Sequence, residues 1–167
     1  MSNTRLVVLR GNSASGKTST AWRVRAMTAE RLAIISQDTV RINILAEPDT
    51  QDGVNLTMID TMTRLALDQG YHVLLEGVLA TERYGTMLRR LTRDHPNRCS
   101  FFYFDLPWEV TVTRHATRKK AADFGPSKMR QWFVPHDVLN GVGEILIGPD
   151  STLDVSARLI LEALTAR

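Results

Sequence analysis

An eight-residue run near the N-terminus has the residue types and spacing of a phosphate-binding loop. The run matches GxxxxGK[ST] in full and consists of Gly11-Asn12-Ser13-Ala14-Ser15-Gly16-Lys17-Thr18. In such a loop the glycines let backbone N–H groups turn toward phosphate oxygens, and the lysine ammonium reaches the β- and γ-phosphates of a nucleotide. We therefore predict that these residues and Ser19 bind ATP, that Lys17 is catalytic, and that Thr18 is a ligand of Mg²⁺.

The residues on either side of the loop have the pattern that this motif requires. Residues 5–10 (RLVVLR) are a short apolar run that predicts a buried strand, and residues 17–29 have the apolar spacing of a helix. An ordinary glycine- and serine-rich turn could join the same two elements. The complete spacing between a strand and a helix favours the phosphate site.

Strands and helices alternate along the rest of the chain. Each further strand is a short apolar run, and these runs are residues 32–35, 71–75, 100–104 and 144–147. Further helices are predicted at residues 51–69, 84–94, 110–118 and 151–166. Ser151 is the expected N-cap of the last helix, three residues before Asp154. The alternation predicts an α/β fold, with helices on both faces of a parallel sheet.

Composition limits the class of protein. The chain has 167 residues, of which 43% are hydrophobic and 23% charged, and it contains no apolar run of the roughly 18 residues that a membrane span needs. Its net charge of +3 is compatible with anionic ligands. Cys99 is the only cysteine, which excludes an intrachain disulfide. Because no secretory signal is recognisable, we expect a single cytoplasmic domain over residues 1–167, with no membrane partner.

Three further features come after the loop in a characteristic order. They are Ser36-Gln37-Asp38 after the second predicted strand, Arg41 nearby, and Glu76-Gly77 at the end of the third. Together with the loop they resemble the P-loop small-molecule kinases, most closely the branch of zeta toxins and chloramphenicol phosphotransferases, which are often described as AAA-type ATPases. The resemblance implies the P-loop NTPase fold, a three-layer α/β/α sandwich with a five-stranded parallel sheet in the order 2-3-1-4-5. It also implies transfer of the γ-phosphate of ATP to a hydroxyl group.

Asp38 follows the second strand at the edge where open α/β sheets bind their ligands. In the kinases that the chain resembles, an Asp at this position takes the proton from the attacking substrate hydroxyl, which implies a catalytic and substrate-binding role for Asp38. Its alternative role is to cap a helix that starts at Thr39. Arg41 is a candidate for binding substrate, or for an ion pair with Asp38 across one helical turn.

Glu76 ends the third predicted strand, where a typical Walker B sequence has Asp. The resemblance implies that this carboxylate supports Mg²⁺ and borders the substrate, although a strand-end carboxylate can also simply accept hydrogen bonds from loop amides. Gly77 would allow close approach of the substrate, or would only form a turn.

Arg114 and Arg118 lie four residues apart on a predicted helix, and basic residues continue to Arg130. This run resembles the lid of P-loop kinases, at about residues 114–130, whose arginines close over the phosphates and stabilise charge in the transition state. The resemblance implies catalytic roles for both arginines and a nucleotide contact for Arg114. A solvated basic helix face is the alternative.

The loop between the fifth strand and the last helix resembles the loop that contacts adenine in these kinases. Its sequence is Gly148-Pro149-Asp150-Ser151, and Asp150 is the predicted nucleotide contact. A turn followed by a helix cap would explain the same residues. Four aromatic residues are candidates for stacking on a planar ligand, although packing in the core is the simpler role for Tyr84, Trp108, Trp132 and Phe133.

The function predicted from these residues is an ATP- and Mg²⁺-dependent kinase whose partner is a small molecule with a hydroxyl group. An antibiotic, a nucleoside or a sugar-like compound would qualify, and we expect a monomer or homodimer. A regulatory NTP-hydrolysing switch, or a nucleotide-binding module without an acceptor, is the alternative. The N-K-x-D base-reading motif of GTPases is not found in the sequence. Nucleic acid is disfavoured as a partner because few aromatic residues accompany the basic run.

Overall fold

The computed structural model describes residues 4–166, which contain a single central sheet. Its strands are β1 (Leu6–Gly11), β2 (Leu32–Ser36), β3 (His72–Glu76), β4 (Cys99–Phe104) and β5 (Ile145–Ile147). All neighbouring strands pair in parallel, in the order β2-β3-β1-β4-β5, which confirms the predicted order. Parallel strands place all their carboxyl ends at one edge, so the loops after β1, β2 and β3 meet there.

Helices cover both faces of the sheet, as predicted. They are α1 (Lys17–Met27), α2 (Val54–Asp68), α3 (Thr81–Asp94), α4 (Trp108–Ala116), α5 (Pro126–Trp132) and α6 (Leu153–Thr165). Helices α1 and α6 contribute to one hydrophobic cluster with the sheet, and α2 and α3 contribute to the other. Within residues 4–166, none of these helices has both the length and the hydropathy to cross a bilayer.

The central strand β1 shows why the sheet is buried on both faces. Successive side chains of a strand point to opposite faces, so Val8 belongs to the cluster that contains Leu88 of α3, whereas Leu9 belongs to the cluster that contains Ile160 of α6. All four side chains are fully buried. Each contributes about 1.5–3 kcal/mol through the transfer of apolar surface from water.

Two predictions about helix N-termini are wrong, and both errors arise from hydrogen bonds. Helix α3 starts at Thr81 rather than at residue 84, because the Thr81 N–H donates to the Asp137 carboxylate at 2.9 Å. Ser151 does not cap α6; the Thr152 hydroxyl accepts the hydrogen bond from the Val155 N–H, while Ser151 Oγ lies 2.8 Å from Ser156 Oγ. The first partner is 56 residues away and leaves no local signal.

The chain between β4 and β5 is more helical than the sequence predicts. After α4 it forms a 3₁₀ turn at Lys119–Ala122 and then α5, although only a polar stretch is predicted before residue 128. Pro126 is at the start of α5, where the fixed φ of proline favours a helix and its missing N–H is not needed. A π-helical segment, Thr39–Ile44, comes after β2 and starts at the residue where the capping alternative for Asp38 places a helix.

Candidate functional site

A cavity of about 240 Å³ lies at the carboxyl edge of the sheet, above the phosphate loop. It brings together most of the residues that the sequence marks as functional. The predicted residues that line it are Ser13, Ala14, Ser15, Gly16, Lys17, Thr18, Ser19, Asp38, Glu76, Gly77, Arg114 and Arg118. Val78 also lines the cavity, although the sequence gives no signal for it. Four predicted residues, Gly11, Asn12, Arg41 and Asp150, lie outside this lining.

The phosphate loop turns sharply between β1 and α1. Gly11 has φ +141°, and a Cβ at this position would lie 2.7 Å from the Phe104 carbonyl oxygen of β4, so only glycine fits here. Gly16 has φ +102° and directly precedes α1, whose first backbone N–H groups and positive dipole end face the cavity. The loop therefore has the backbone geometry of an anion-binding site.

The Lys17 side chain folds back over the loop. Its ammonium donates to the Asn12 carbonyl at 2.8 Å and to Ser15 Oγ at 3.0 Å, and the residue is 6% exposed. These partners hold the charge beside the cavity rather than in bulk solvent. A desolvated cation at this position interacts strongly with phosphate oxygens.

The Asn12 side chain connects the phosphate loop to the chain after α5. Its side-chain amide donates to the Val134 carbonyl at 2.7 Å and accepts from the Val134 N–H at 3.0 Å. Val134 follows α5, so the phosphate loop is attached to the chain just beyond the predicted lid segment, residues 114–130. The nucleotide contact of Asn12 stays a prediction, and its backbone is the part that these hydrogen bonds leave available for it.

Thr18 and Glu76 form the part of the site that fits a divalent cation. The Thr18 hydroxyl lies 3.1 Å from Glu76 Oε2, and Glu76 is 3% exposed at the end of β3. A hydroxyl and a carboxylate oxygen bordering a cavity that admits water are the ligands that Mg²⁺ uses, with water completing its octahedron. The donor set therefore fits Mg²⁺ bound to a nucleotide. It is not a cage of three or more carboxylate, His or Cys ligands, since no such group occurs among residues 4–166.

Asp38 lines the cavity just beyond β2, and in the sheet β2 lies on the other side of β1 from β4, the strand that precedes the helix of Arg114. Its carboxylate lies 3.5 Å from Arg41, and its side chain makes no capping hydrogen bond to the helical segment that begins at Thr39. Arg41 also donates to the Glu47 carbonyl at 3.3 Å. Of the alternatives that the sequence leaves open, Arg41 forms the ion pair, and the capping role of Asp38 is not observed.

The two arginines approach the cavity from the opposite side. Arg114, in the last turn of α4, donates to the Ser15 carbonyl at 3.1 Å and to the Pro149 carbonyl at 3.5 Å. Arg118 follows α4 and contributes to the lining. The guanidinium of Arg114 thus connects the end of α4 to the phosphate loop and to the loop after β5.

Aromatic packing holds the lid segment together. The His115 ring stacks on Phe124 with centroids 4.7 Å apart, its Nε2 lies 2.8 Å from the Phe124 carbonyl, and Trp132 meets Phe124 edge-on at 5.4 Å. Trp108 and Phe133 form a second edge-to-face pair at 5.2 Å. These aromatic side chains therefore pack against one another in the predicted lid segment and directly beside it.

A second cavity, of about 320 Å³, adjoins the first beside α6. Arg114 lines both cavities, and Gly148, Ser151 and Thr152 line the second. The predicted contact Asp150 is exposed and lies outside both linings. The loop after β5 thus borders the second cavity through Gly148 and Ser151 rather than through Asp150.

A buried arginine beside the site escaped the sequence reasoning. Arg10, the penultimate residue of β1, is 0% exposed and pairs with Glu144 at 2.9 Å and with Asp137 at 3.0 Å. It also donates to the Leu79 carbonyl and to Thr81 Oγ1. A charged residue in a run predicted to be buried does signal a carboxylate partner, but the identity of that partner cannot be inferred from spacing.

The fold and the loop together define a P-loop protein of the α/β class. The model of the AAA domain family matches residues 6–133, and the chain belongs to this family. A search of curated proteins gave no match. The narrower assignment to the zeta-toxin and chloramphenicol-phosphotransferase branch stays a prediction.

Solved structures share the fold along almost the whole chain. The APS kinase CysC of Mycobacterium tuberculosis, in complex with AMPPNP and APS, has a TM-score of 0.78 at 18% identity and covers 98% of each chain. A sugar kinase from Janibacter sp. HTCC2649 has a TM-score of 0.73 at 23% identity, covering 96% of this chain and 94% of its own. A gluconokinase from Sinorhizobium meliloti 1021 has a TM-score of 0.69 at 19% identity, covering 98% of this chain and 93% of its own. At these identities the similarity concerns the fold.

Proposed function

We propose that this protein is an ATP-dependent kinase that transfers the γ-phosphate of ATP to a hydroxyl group of a small molecule. The observation that carries the proposal is the distribution of charge around the first cavity. Lys17, Arg114 and Arg118 border it together with the phosphate loop, whereas Asp38 and Glu76 lie at the ends of β2 and β3. Phosphoryl transfer needs this combination of cations for the transferring group and a carboxylate for the acceptor.

In this proposal the chain binds and orients the nucleotide before transfer. Backbone N–H groups of the phosphate loop and the Lys17 ammonium hold the β- and γ-phosphates. Thr18 and Glu76 would hold Mg²⁺, Glu76 directly or through water, and the ion would supply charge neutralisation at the phosphate oxygens. The second cavity, bordered by Gly148 and Ser151, is the proposed place of the nucleoside.

Asp38 is the proposed general base. Its carboxylate accepts the proton of the acceptor hydroxyl and orients that oxygen in line with the γ-phosphorus. Arg114 and Arg118 stabilise the charge that spreads over the equatorial oxygens in the transition state. We assign Arg41 and Gly77 to the acceptor side, where Arg41 acts through its ion pair with Asp38.

The names of proteins with the same fold support this class of reaction, since they include an APS kinase, a gluconokinase and a sugar kinase. The acceptor that we propose is an antibiotic, a nucleoside or a sugar-like compound. We further propose that residues 1–167 act as one kinase domain, as a monomer or homodimer in the cytoplasm.

The test is a measurement of ADP release by the purified protein with ATP·Mg²⁺ and pooled antibiotics, nucleosides or sugars. Thermal stabilisation by ATP·Mg²⁺ and by GTP·Mg²⁺ is measured in parallel. We expect stabilisation by ATP and ADP release that depends on one pool, and we expect Lys17→Ala to abolish the release. Arg158→Ala, which removes an exposed cation of α6 that lines neither cavity, is the control and should be active. ADP release that no pool increases would contradict the kinase and favour the hydrolysing switch.

A further inference from the structure

Gln37 and Gly77 are in close contact between the two carboxylates of the site. Gln37 precedes Asp38, and Gly77 follows Glu76. Ser36 and Glu76 are the last paired residues of β2 and β3, so Gln37 and Gly77 continue the contact just beyond the paired strands. A Cβ on Gly77 would lie 2.4 Å from Gln37 Oε1 and 2.5 Å from Gln37 Cβ. The Gln37 side chain therefore occupies the space beside Gly77 that any other residue would need.

The Gln37 side chain is fixed at both ends of its amide. Its Oε1 accepts from the Leu79 N–H at 3.0 Å, and its Nε2 donates to the Tyr84 hydroxyl at 2.9 Å and to Asp49 Oδ2 at 3.2 Å. Gln37 is 2% exposed, so these partners replace water almost completely. Rotation of the amide would leave buried polar groups without partners, which is costly.

Tyr84 is the centre of the network behind Gln37. Its hydroxyl donates to Asp49 Oδ1 at 2.6 Å and accepts from Asn55 at 2.6 Å in addition to Gln37, which uses its proton and both lone pairs. Burial, and then the hydrogen bond to Asp49, raise the pKa of Tyr84 well above its ordinary value, so the donor keeps its proton. The network is thus complete at its central atom.

The network also reaches the connection between the π-helical segment and α2. Asp49 lies between the π-helical segment and α2, and it receives hydrogen bonds from Arg83 at 2.6 Å as well as from Gln37 and Tyr84. Asn55, in the first turn of α2, is 0% exposed. One set of hydrogen bonds therefore links the end of β2, the segment before α2, and the start of α3.

We infer that Gln37 is a positioning residue for phosphoryl transfer, which holds Asp38 at a set distance from Glu76 and is itself held by Tyr84 and Asp49. The inference rests on the proposed function, because it concerns the placement of the proposed base. It assigns a role in turnover to Tyr84, a side chain that does not line the cavity. Displacement of a reacting group by about 1 Å can reduce a rate by about a hundredfold, so packing at this distance from the reaction is sufficient to affect kcat.

The test is Tyr84→Phe, which removes one hydroxyl and retains the ring. The probe is ADP release with ATP·Mg²⁺ and whichever pool of antibiotics, nucleosides or sugars activates the wild type. We expect kcat to fall by about tenfold at a temperature well below unfolding, while the KM for ATP changes less than about twofold. Tyr71→Phe is the matched control, since Tyr71 precedes β3 at the opposite edge of the sheet, where its ring lies 4.0 Å from Arg31. Its kcat should equal that of the wild type.

Gly77→Ala tests the same inference from the other side of Gln37, and it serves if Tyr84→Phe does not fold. The added methyl group must displace Gln37 or the strand end, so kcat should fall again with the KM for ATP retained. A wild-type enzyme that no pool activates would overturn the proposed function, and this inference with it. An active wild type with unchanged kcat in either folded variant would overturn the inference alone.

Discussion

Asn12 and Val134 are joined by two hydrogen bonds, in which the Asn12 amide pairs with both backbone groups of Val134. Arg114 forms a second connection between the same two regions through the Ser15 carbonyl. The phosphate loop is therefore attached to Arg114, at the start of the predicted lid, and to Val134, just beyond its end. A displacement of residues 114–134 must either break these hydrogen bonds or move the phosphate loop with it.

Asn12→Ala should destabilise the protein without removing nucleotide binding. We expect the free energy of unfolding to fall by about 1–2 kcal/mol, because the Val134 N–H and C=O lose their partners. Urea unfolding measures this loss, with Asn140→Ala as an exposed control. Stabilisation of the variant by ATP·Mg²⁺ should equal that of the wild type. Loss of that stabilisation would instead indicate a side-chain contact with the nucleotide.

Asp38→Asn should lower turnover while leaving nucleotide affinity nearly unchanged. The amide fills the same space but cannot accept the hydroxyl proton, so we expect kcat to fall by about a hundredfold or more. Steady-state ADP release with the activating pool gives kcat and the KM for ATP separately. Asp154→Asn, in the exposed pair with Arg23, is the control. An equal loss of ATP affinity would assign Asp38 a structural role.

Arg118→Ala should affect the rate more than binding. Arg118 borders the cavity, so its loss should reduce kcat by about tenfold or more while the KM for ATP stays within about threefold. Arg114→Ala should change both values, because Arg114 also holds the Ser15 and Pro149 carbonyls. Arg90→Ala on the exposed face of α3 provides the comparison. A wild-type rate in the Arg118 variant would instead support the alternative that the basic run is a solvated helix face.

Arg10→Met should be among the most destabilising substitutions in the chain. It leaves the carboxylates of Glu144, which is 0% exposed at its side chain, and Asp137 without their cation, at a cost of about 3–5 kcal/mol. Arg23→Met removes an exposed pair with Asp154 and should cost less than about 1 kcal/mol. Urea denaturation followed by tryptophan fluorescence compares the two. Similar losses of unfolding free energy in both variants would show that burial of the Arg10 ion pairs does not increase the cost of breaking them.

Cys99 provides a pH-dependent measure of folding. Burial raises the pKa of the Cys99 thiol to about 11, so little thiolate is present at pH 8. Alkylation by iodoacetamide at pH 8, followed by mass spectrometry, should be about a hundredfold slower in the folded protein than in urea. Because the pKa of the thiol is higher in the folded protein than in the unfolded chain, the protonated thiol stabilises the folded state at pH values below the pKa of the unfolded chain. This contribution is lost as the pH rises, so the free energy of unfolding should fall between about pH 8.5 and 11. Equal alkylation rates would show that the thiol is accessible.

The sheet could be predicted because its signals are local. The runs around Leu9 and Leu74 are apolar, short and bounded by turn residues, and the GxxxxGK[ST] spacing specifies a phosphate loop directly after β1. Asp38 and Glu76 could be placed at the site for the same reason, since each lies at or just after the end of a strand. The order of the strands, by contrast, came from the resemblance to a family.

The residues that the sequence reasoning missed depend on contacts between distant parts of the chain. Arg10 meets Glu144 across 134 residues, and Gln37 meets Tyr84 across 47. Nothing in the spacing around Gln37 shows that its amide is buried, and nothing near Thr81 shows that Asp137 caps its helix. Such pairs form only after the sheet has brought its loops to one edge.

The buried guanidinium of Arg10 also limits when the protein can fold during its synthesis. Arg10 is translated 127 residues before Asp137, and both Asp137 and Glu144 emerge from the ribosome only after four of the five strands. A nascent chain that ends before Asp137 would bury an uncompensated cation in the centre of its sheet, which is strongly unfavourable. The first four strands are therefore expected to stay incompletely packed until residues 137–144 have been made.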